Sequence, residues 1–146
     1  MEEQLVTFLL GQEEFAIDIM RVHEIIKIPA ITKVPRSSRY IEGVINLRGN
    51  VVPVVSLNER FGTQKAGDSH NSRIIVLQID GKTVGIIVDQ VTEVLRLDDS
   101  NIEPPPALAG NIDAGFIRGV GKVGNRLVVL LAVDRILEGE KLTNYA

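Results

Sequence analysis

The sequence contains no cysteine and only two histidines, His23 and His70. The absence of cysteine excludes a disulfide framework and a thiolate metal site. Two histidines offer no spacing at which several metal ligands converge. A catalytic triad would need one of them beside an activated nucleophile, yet the chain has no G-x-S-x-G elbow. We therefore predict a protein that is not an enzyme and that binds no metal or cofactor.

Long hydrophobic runs and a strong excess of one charge are also missing. The longest apolar run, residues 127–133, is far shorter than the roughly 20 residues of a membrane span, and the acidic N-terminus does not resemble a signal peptide. The net charge is −3 with mixed signs, and aromatic residues make up only 4%, which argues against nucleic acid as a partner. We expect a cytoplasmic protein with no direct membrane insertion.

Aliphatic residues dominate what is present. Apolar residues make up 45% of the 146-residue chain, and most are Val, Ile and Leu, which favours strands over helices. Short apolar runs alternate with turn signals, a spacing that predicts a β-sandwich or barrel. Short helices are expected near 58–61 and 134–140, with Asn58 and Asp134 as candidate N-caps. The predicted strands span 5–10, 15–19, 22–28, 43–47, 51–57, 74–79, 84–88, 91–97, 115–120 and 127–133.

The second half of the sequence repeats the first in residue types, order and spacing. Either aliphatic strands resemble one another here by chance, or each half forms five strands and a short helix in the same order. We adopt the repeat and predict a mainly β protein of two five-stranded barrels, which leave few sheet edges exposed. The aligned segments are 5–28 with 74–97, 42–45 with 114–117, and 51–61 with 127–137.

The repeat also predicts how the chain is organised. We expect one domain, 1–146, with subdomains at about 12–62 and 73–133 and with terminal segments that cross between the barrels. The polar stretch 63–72 is typical of an exposed connection between them. A second long loop, 98–114, contains three consecutive prolines and is either functional or a spacer over one barrel end.

One nucleotide-binding motif occurs, and we reject it. Residues 119–124 fit G-x-G-x-x-G, but a dinucleotide site needs this loop to open a helix that receives the pyrophosphate. The residues that follow predict a strand instead. We interpret the glycines as part of a hairpin with Gly124 and Asn125 at its turn.

A glutamate recurs at the same place in both halves. Glu24 aligns with Glu93, whereas His23 aligns with Thr92. The recurring carboxylate marks either a solvent-facing strand position or a contact with a partner. His23 and Glu24 are expected on opposite faces of their strand, because adjacent side chains alternate.

The most specific pattern lies in residues 34–57. It predicts a loop over 35–38, followed by a hairpin whose turn is formed by Arg48, Gly49 and Asn50. Gly49 and Asn50 tolerate positive φ, which favours such a turn. Arg48 is then exposed at the hairpin tip, with no acidic residue near it in the sequence.

The segment EGVINLRGNVVPVVSL, residues 42–57, resembles the signature of the CheW-like domain family. The stretches FLLGQEEFAIDIMRVHEII and VGIIVDQVTEVLRL resemble other strand regions of that family, and the likeness covers about residues 4–140. It implies two SH3-like barrels packed around a shared apolar core. Such domains occur alone, as the regulatory domain of the histidine kinase CheA, and beside a receiver domain in CheV. We expect a stand-alone member, because the chain has no room for the other domains.

The resemblance implies an adaptor that couples methyl-accepting chemotaxis receptors to CheA in a chemoreceptor array. It would bind the helical receptor tip and the CheA regulatory domain. An adaptor of a non-chemotaxis chemosensory pathway is the alternative. We expect receptor binding in a groove between the barrels, lined by aliphatic residues of 22–28, and kinase binding at the barrel ends.

The family motif also suggests which residues bind partners. Arg48 is the arginine of the family's N-L-R-G turn. Because it is exposed at the hairpin tip, it is expected to make few contacts with the core. The glycines could equally serve backbone geometry, and the valines could be ordinary core. The candidates are Asn46, Leu47, Arg48 and Gly49 in the turn, Val22, Glu24 and Gly43 elsewhere in the first half, and Gly85 and Val94 in the second half.

Overall fold

A computed structural model of the chain describes residues 1–35, 39–63, 69–105 and 114–137. Its strands form one six-stranded and one five-stranded sheet, which confirms the mainly β prediction. One strand, Ile102–Glu103, was not predicted, because two residues are too short to show a periodic pattern. The strands are β1 (Glu2–Leu10), β2 (Glu13–Asp18), β3 (Val22–Lys27), β4 (Ile41–Leu47), β5 (Asn50–Ser56), β6 (Arg73–Ile79), β7 (Lys82–Val88), β8 (Gln90–Asp98), β9 (Ile102–Glu103), β10 (Ile117–Val123) and β11 (Arg126–Leu131).

Parts of several predicted segments lie outside the described residues. These parts are 36–38 of the predicted loop, 64–68 of the polar connection, 106–113 of the proline-containing loop, and 138–140 of the second predicted helix.

Both predicted helices are present, but neither predicted N-cap is correct. Helix α1 (Leu57–Phe61) is capped by Ser56, whose hydroxyl oxygen accepts a hydrogen bond from the backbone N–H of Glu59 at 3.3 Å. Helix α2 (Val133–Ile136) has no side-chain cap. Asn58 and Asp134 each occupy the second helical position, which leaves their side chains free to bond outside the helix. The remaining helical turns are 3₁₀ segments at Ile19–Arg21, Ser69–Asn71, Asp99–Asn101 and Ala114–Phe116.

The strand register supports the repeat and corrects one part of its alignment. In the hairpin of β4 and β5 the register shifts between Ile41 and Gly43, and in the hairpin of β10 and β11 it shifts between Ile117 and Gly119. Gly43 therefore corresponds to Gly119. The predicted match of 42–45 with 114–117 was wrong by four residues, because a second glycine stands close by in the sequence.

The two sheets exchange hairpins. The strand order is β8-β1-β2-β11-β10-β9 in the six-stranded sheet and β3-β6-β7-β5-β4 in the five-stranded sheet. The first hairpin of each repeat thus joins the later strands of the other repeat. Among the described elements the chain passes between the sheets only twice, from β2 to β3 and from β7 to β8. The subdomain limits proposed from the sequence stay a prediction.

The largest apolar cluster joins the two sheets. Phe8 and Phe15 of the six-stranded sheet stack at 6.1 Å between ring centroids, and Phe15 stacks on Phe61 of α1 at 5.9 Å. The same cluster contains Ile86 from β7 and Leu131 from β11. Each sheet also has a smaller core of its own. One shared core therefore packs the two sheets against each other.

Candidate functional site

The tip of the hairpin of β4 and β5 is a two-residue turn. Leu47 pairs with Asn50, and the two residues between them, Arg48 and Gly49, have φ of 51° and 89°. Two successive positive φ values define the type I′ turn that suits the twist of a hairpin. The turn was predicted at Arg48, Gly49 and Asn50, but Asn50 begins β5, and positive φ occurs at Arg48 and Gly49. The side-chain oxygen of Asn46 accepts a hydrogen bond from the Gly49 N–H at 2.7 Å and thereby braces the tip.

Arg48 is paired with Glu24, a residue that is far away in the sequence. The Arg48 side chain is 64% exposed. Its Nη1 donates to Glu24 Oε1 at 3.1 Å, and its Nη2 donates to the second carboxylate oxygen, so the contact is bidentate. The hydrogen bonds from Arg48 lower the pKa of Glu24, and the same contact raises the pKa of Arg48. No acid lies near Arg48 along the chain, but tertiary structure supplies one.

A register shift in β3 brings His23 and Glu24 to the same side. Val22 pairs with Leu77 and Glu24 with Val76, so His23 is an extra residue in the strand. Such a bulge interrupts the alternation of side chains. His23 Nε2 lies 3.5 Å from a Glu24 carboxylate oxygen. The expectation that these two side chains face opposite ways was therefore wrong.

The six-stranded sheet repeats this bulge and its ion pair. Thr7 pairs with Glu93 and Phe8 with Val91, which leaves Thr92 as the extra residue at the position equivalent to His23. Glu93 accepts a hydrogen bond from Nη2 of Arg126, and Arg126 Nε lies 3.2 Å from Glu14 Oε1. The sequence analysis missed Arg126. The recurrence of Glu93, together with an arginine directly after the turn at 124–125, was the signal that could have found it.

Exposed aliphatic side chains accompany both ion pairs at repeat-related positions. Ile25 and Val94 follow the two glutamates and are 40% and 55% exposed, and Val51 and Leu127 begin the returning strands and are 51% and 62% exposed. Large apolar side chains this exposed are typical of binding surfaces when they recur in a pattern. We call Glu24, Ile25, Arg48 and Val51 the first surface set, and Glu93, Val94, Arg126 and Leu127 the second surface set.

A cavity of about 600 Å³ opens beside the first surface set. Its wall combines apolar residues with hydrogen-bonding and cationic groups, a mixture that suits a side chain from a protein partner. Within the described part of the chain, no group of three His, Cys, Asp or Glu residues could hold a metal ion. The residues that line the cavity include His23, Leu47, Arg48, Val51, Pro53 and Lys82.

No helix among the described residues is long and apolar enough to cross a membrane.

At three other predicted site positions, packing explains the residue type. Gly43 has φ of 153°, and a Cβ at that position would overlap the carbonyl oxygen of Thr32. A Cβ on Gly85 would lie 2.7 Å from Cγ2 of Ile74. Val22 is half-buried and packs against the shared core. Their role in partner binding stays a prediction.

Known proteins resemble this chain over nearly its whole length. The model of the CheW-like domain matches residues 4–141. The chemotaxis protein CheW of Helicobacter pylori is 37% identical over 92% of this chain and 81% of its own length. The chemotaxis protein CheW of Treponema pallidum is 32% identical over 98% of this chain and 86% of its own.

A solved structure agrees with the fold as well. The scaffolding protein TtCheW from Thermoanaerobacter tengcongensis superposes with a TM-score of 0.89 at 41% sequence identity, covering 97% of this chain and 94% of that one. This likeness confirms the predicted fold of two packed SH3-like barrels.

Proposed function

Because this chain belongs to the family of CheW-like domains, we propose that it is a non-catalytic chemotaxis adaptor that works in the cytoplasm. It couples the cytoplasmic tips of chemoreceptors to the histidine kinase CheA by binding both. The observation that carries this proposal is the match of the family model to residues 4–141, together with relatives that are named as chemotaxis protein CheW.

Kinase binding uses the two surface sets. Both combine exposed aliphatic side chains with an ion pair at the edge, which is the composition of a modest interface with an apolar centre and a polar rim. Because the glutamate and both aliphatic residues of each set are related by the internal repeat, each set suits a similar partner surface, such as the end of another small barrel. Single contacts that bury about 1,000 Å² or less are weak. An adaptor with two such contacts therefore binds tightly when both form together in a multivalent assembly.

Receptor binding uses a second cavity of about 560 Å³. Of the aliphatic residues of 22–28 that were expected in a groove between the sheets, Val22 packs on the shared core and Ile26 on the core of the five-stranded sheet. Ile28 lines this second cavity instead, with Ile31 and Ile87. All three side chains belong to the part of the chain that forms the five-stranded sheet.

The same cavity carries two acidic residues, Glu42 and Glu59. An aliphatic floor beside carboxylates suits a helix that presents apolar residues at i and i+4 with basic residues next to them. We assign this cavity to the receptor helix on the basis of that complementarity.

Titration followed by NMR tests both assignments. A CheA regulatory domain is expected to shift amide signals around Arg48 and Arg126, and a receptor-tip fragment is expected to shift those around Ile31 and Ile87. Arg48→Ala is expected to stay folded and to weaken binding of the kinase domain at least several-fold. Arg96→Ala, which removes an exposed arginine outside both surface sets, is the matched control. If the wild-type protein binds neither fragment, the proposed function is wrong.

A further inference from the structure

The two passages of the chain between the sheets are built alike but tied down differently. Each passage is hydrogen-bonded to the second residue of a short helix. That helix follows a strand of the sheet from which the passage departs. Between β2 and β3, Arg21 Nη2 donates to Asp134 Oδ2 of α2 at 2.8 Å. Between β7 and β8, Asp89 Oδ1 accepts from Asn58 Nδ2 of α1 at 2.7 Å. Asn58 and Asp134 are equivalent in the repeat. The same helix position therefore binds a passage in both halves, through an amide in one half and through an ion pair in the other.

The contact at Asp89 is buried and reaches both sheets. Asp89 is only 3% exposed. Its Oδ2 accepts a hydrogen bond at 2.8 Å from the N–H of Gly11, which lies in the turn between β1 and β2 of the six-stranded sheet. Its backbone N–H donates to the carbonyl oxygen of Leu9 at 3.0 Å. The side chain therefore joins the six-stranded sheet to Asn58 of α1, the helix that follows β5 of the five-stranded sheet.

The contact at Arg21 is different in kind. The side chains of Arg21 and Asp134 are 40% and 43% exposed. An ion pair in that setting is screened by water and salt and holds its partners only weakly. Asp89, in contrast, is itself buried and accepts directional hydrogen bonds, so their loss would leave polar groups at a part-buried contact without these partners.

We propose that Asp89 is the positioning residue that fixes the orientation of the six-stranded sheet against the five-stranded sheet. Apolar contact in the shared core is non-directional, whereas the hydrogen bonds that the Asp89 carboxylate accepts from Gly11 and Asn58 favour one orientation. Since each sheet carries one surface set, Asp89 also sets the angle at which the adaptor presents its two contacts. This last consequence rests on the proposed function, and the orientation itself does not.

Distance measurements between spin labels test the proposal. The chain contains no cysteine, so Val51→Cys and Leu127→Cys place one label on each sheet at exposed positions. Pulsed electron spin resonance on the otherwise unchanged protein is expected to give one narrow distance distribution. Asp89→Leu, which keeps the branched shape and the number of side-chain heavy atoms but removes both acceptors, is expected to broaden that distribution at least twofold or to shift its mean.

Two further variants separate hydrogen bonding from other effects. Asp89→Asn is expected to restore the narrow distribution, because its oxygen can still accept from Gly11. The side-chain amide of Asn58 can flip at the same time, so that its oxygen accepts from the NH₂ group introduced at position 89. Its own NH₂ group then faces Thr63, whose hydroxyl can accept as well as donate. Asp134→Ala, which removes the helix residue that binds the other passage, is the matched control and is expected to leave the distribution narrow.

The outcomes decide the proposal in either direction. An unchanged distribution in Asp89→Leu overturns it, and so does equal broadening in Asp134→Ala. If Asp89→Leu does not fold, Asn58→Ala removes one arm of the contact and must broaden the distribution for the proposal to stand. Failure of the wild-type protein to bind a CheA domain would refute the proposed function and leave this result untouched.

Discussion

Arg48 at the tip of one hairpin holds both oxygens of the carboxylate of Glu24, which lies in a different strand. Two local features make this contact possible. The positive φ of Arg48 places the residue inside the turn itself, and the bulge at His23 turns Glu24 toward it. The long side chain of Arg48 is thereby held in one direction before a partner arrives. Such preorganisation reduces the cost of binding.

We expect Glu24 and Arg48 to act as one unit in partner binding. Glu24→Ala should weaken binding of a CheA regulatory domain, because Arg48 is then free to move. The double variant should bind no more weakly than Arg48→Ala alone, since residues in one contact are not additive. Calorimetric titration of the four proteins measures this. Fully additive losses would mean that the two residues contact the partner separately.

The pKa of Asp98 is lowered from 3.8 to about 2, mainly by hydrogen bonds from the hydroxyl and the backbone N–H of Ser100. Ser100→Ala removes the first of these, so it should raise the pKa toward 3.8, as NMR titration of the carboxyl carbon would record. A lowered pKa in the folded state stabilises the protein above the unfolded value and ceases to do so as pH falls through the folded value. The stabilisation from Asp98 is therefore expected to fade between about pH 4 and pH 2 and to be smaller in Ser100→Ala. An unchanged pKa in that variant would show that the Ser100 hydroxyl is not the cause.

Gly43 and Gly49 should respond differently to alanine. A Cβ on Gly43 would overlap Thr32 and lie 2.8 Å from Cγ2 of Ile31, whereas a Cβ on Gly49 has nothing within 4 Å. Gly43→Ala should lower the free energy of unfolding by about 3 kcal/mol, from backbone strain and overpacking together. Gly49→Ala should lower it by about 1 kcal/mol, from its positive φ alone. Urea denaturation compares the two, and equal losses would contradict this account.

The repeat suggests how Gly85→Ala can be rescued. Gly85 and Ile74 of the five-stranded sheet correspond to Ala16 and Leu5 of the other sheet, in the same strand register. Gly85→Ala should cost about 1–3 kcal/mol, because the new methyl group meets Cγ2 of Ile74. The double variant Ile74→Leu with Gly85→Ala recreates the other sheet's pair, so it should recover most of that free energy in urea denaturation.

The same pair of variants bears on the predicted partner-binding role of Gly85. If the rescued double variant binds the kinase domain as the wild-type protein does, Gly85 acts through packing. If it folds well and binds poorly, Gly85 lies at the partner contact. A double variant as unstable as Gly85→Ala alone would contradict the packing explanation.

Two of the predictions that the structure corrects failed for the same physical reason. Asn58 was expected to cap α1 because asparagine favours that position, but Ser56 caps the helix and the Asn58 amide bonds to Asp89. His23 and Glu24 were expected on opposite faces because strands alternate, but pairing of β3 with β6 inserts a bulge between them. In both places a contact with a distant strand or passage overrode a sound local preference.

The sequence by itself determined the succession of most strands along the chain, the internal repeat, the hairpin with Arg48 at its tip and the family. All of these depend on short-range alternation, turn residues or a contiguous motif. Only the tertiary structure decided that each first hairpin joins the other repeat's sheet, that Glu24 meets Arg48, and that Asp89 joins the two sheets. Those relationships depend on burial in a shared core and on pairing between distant segments, and no local pattern of residues specifies either.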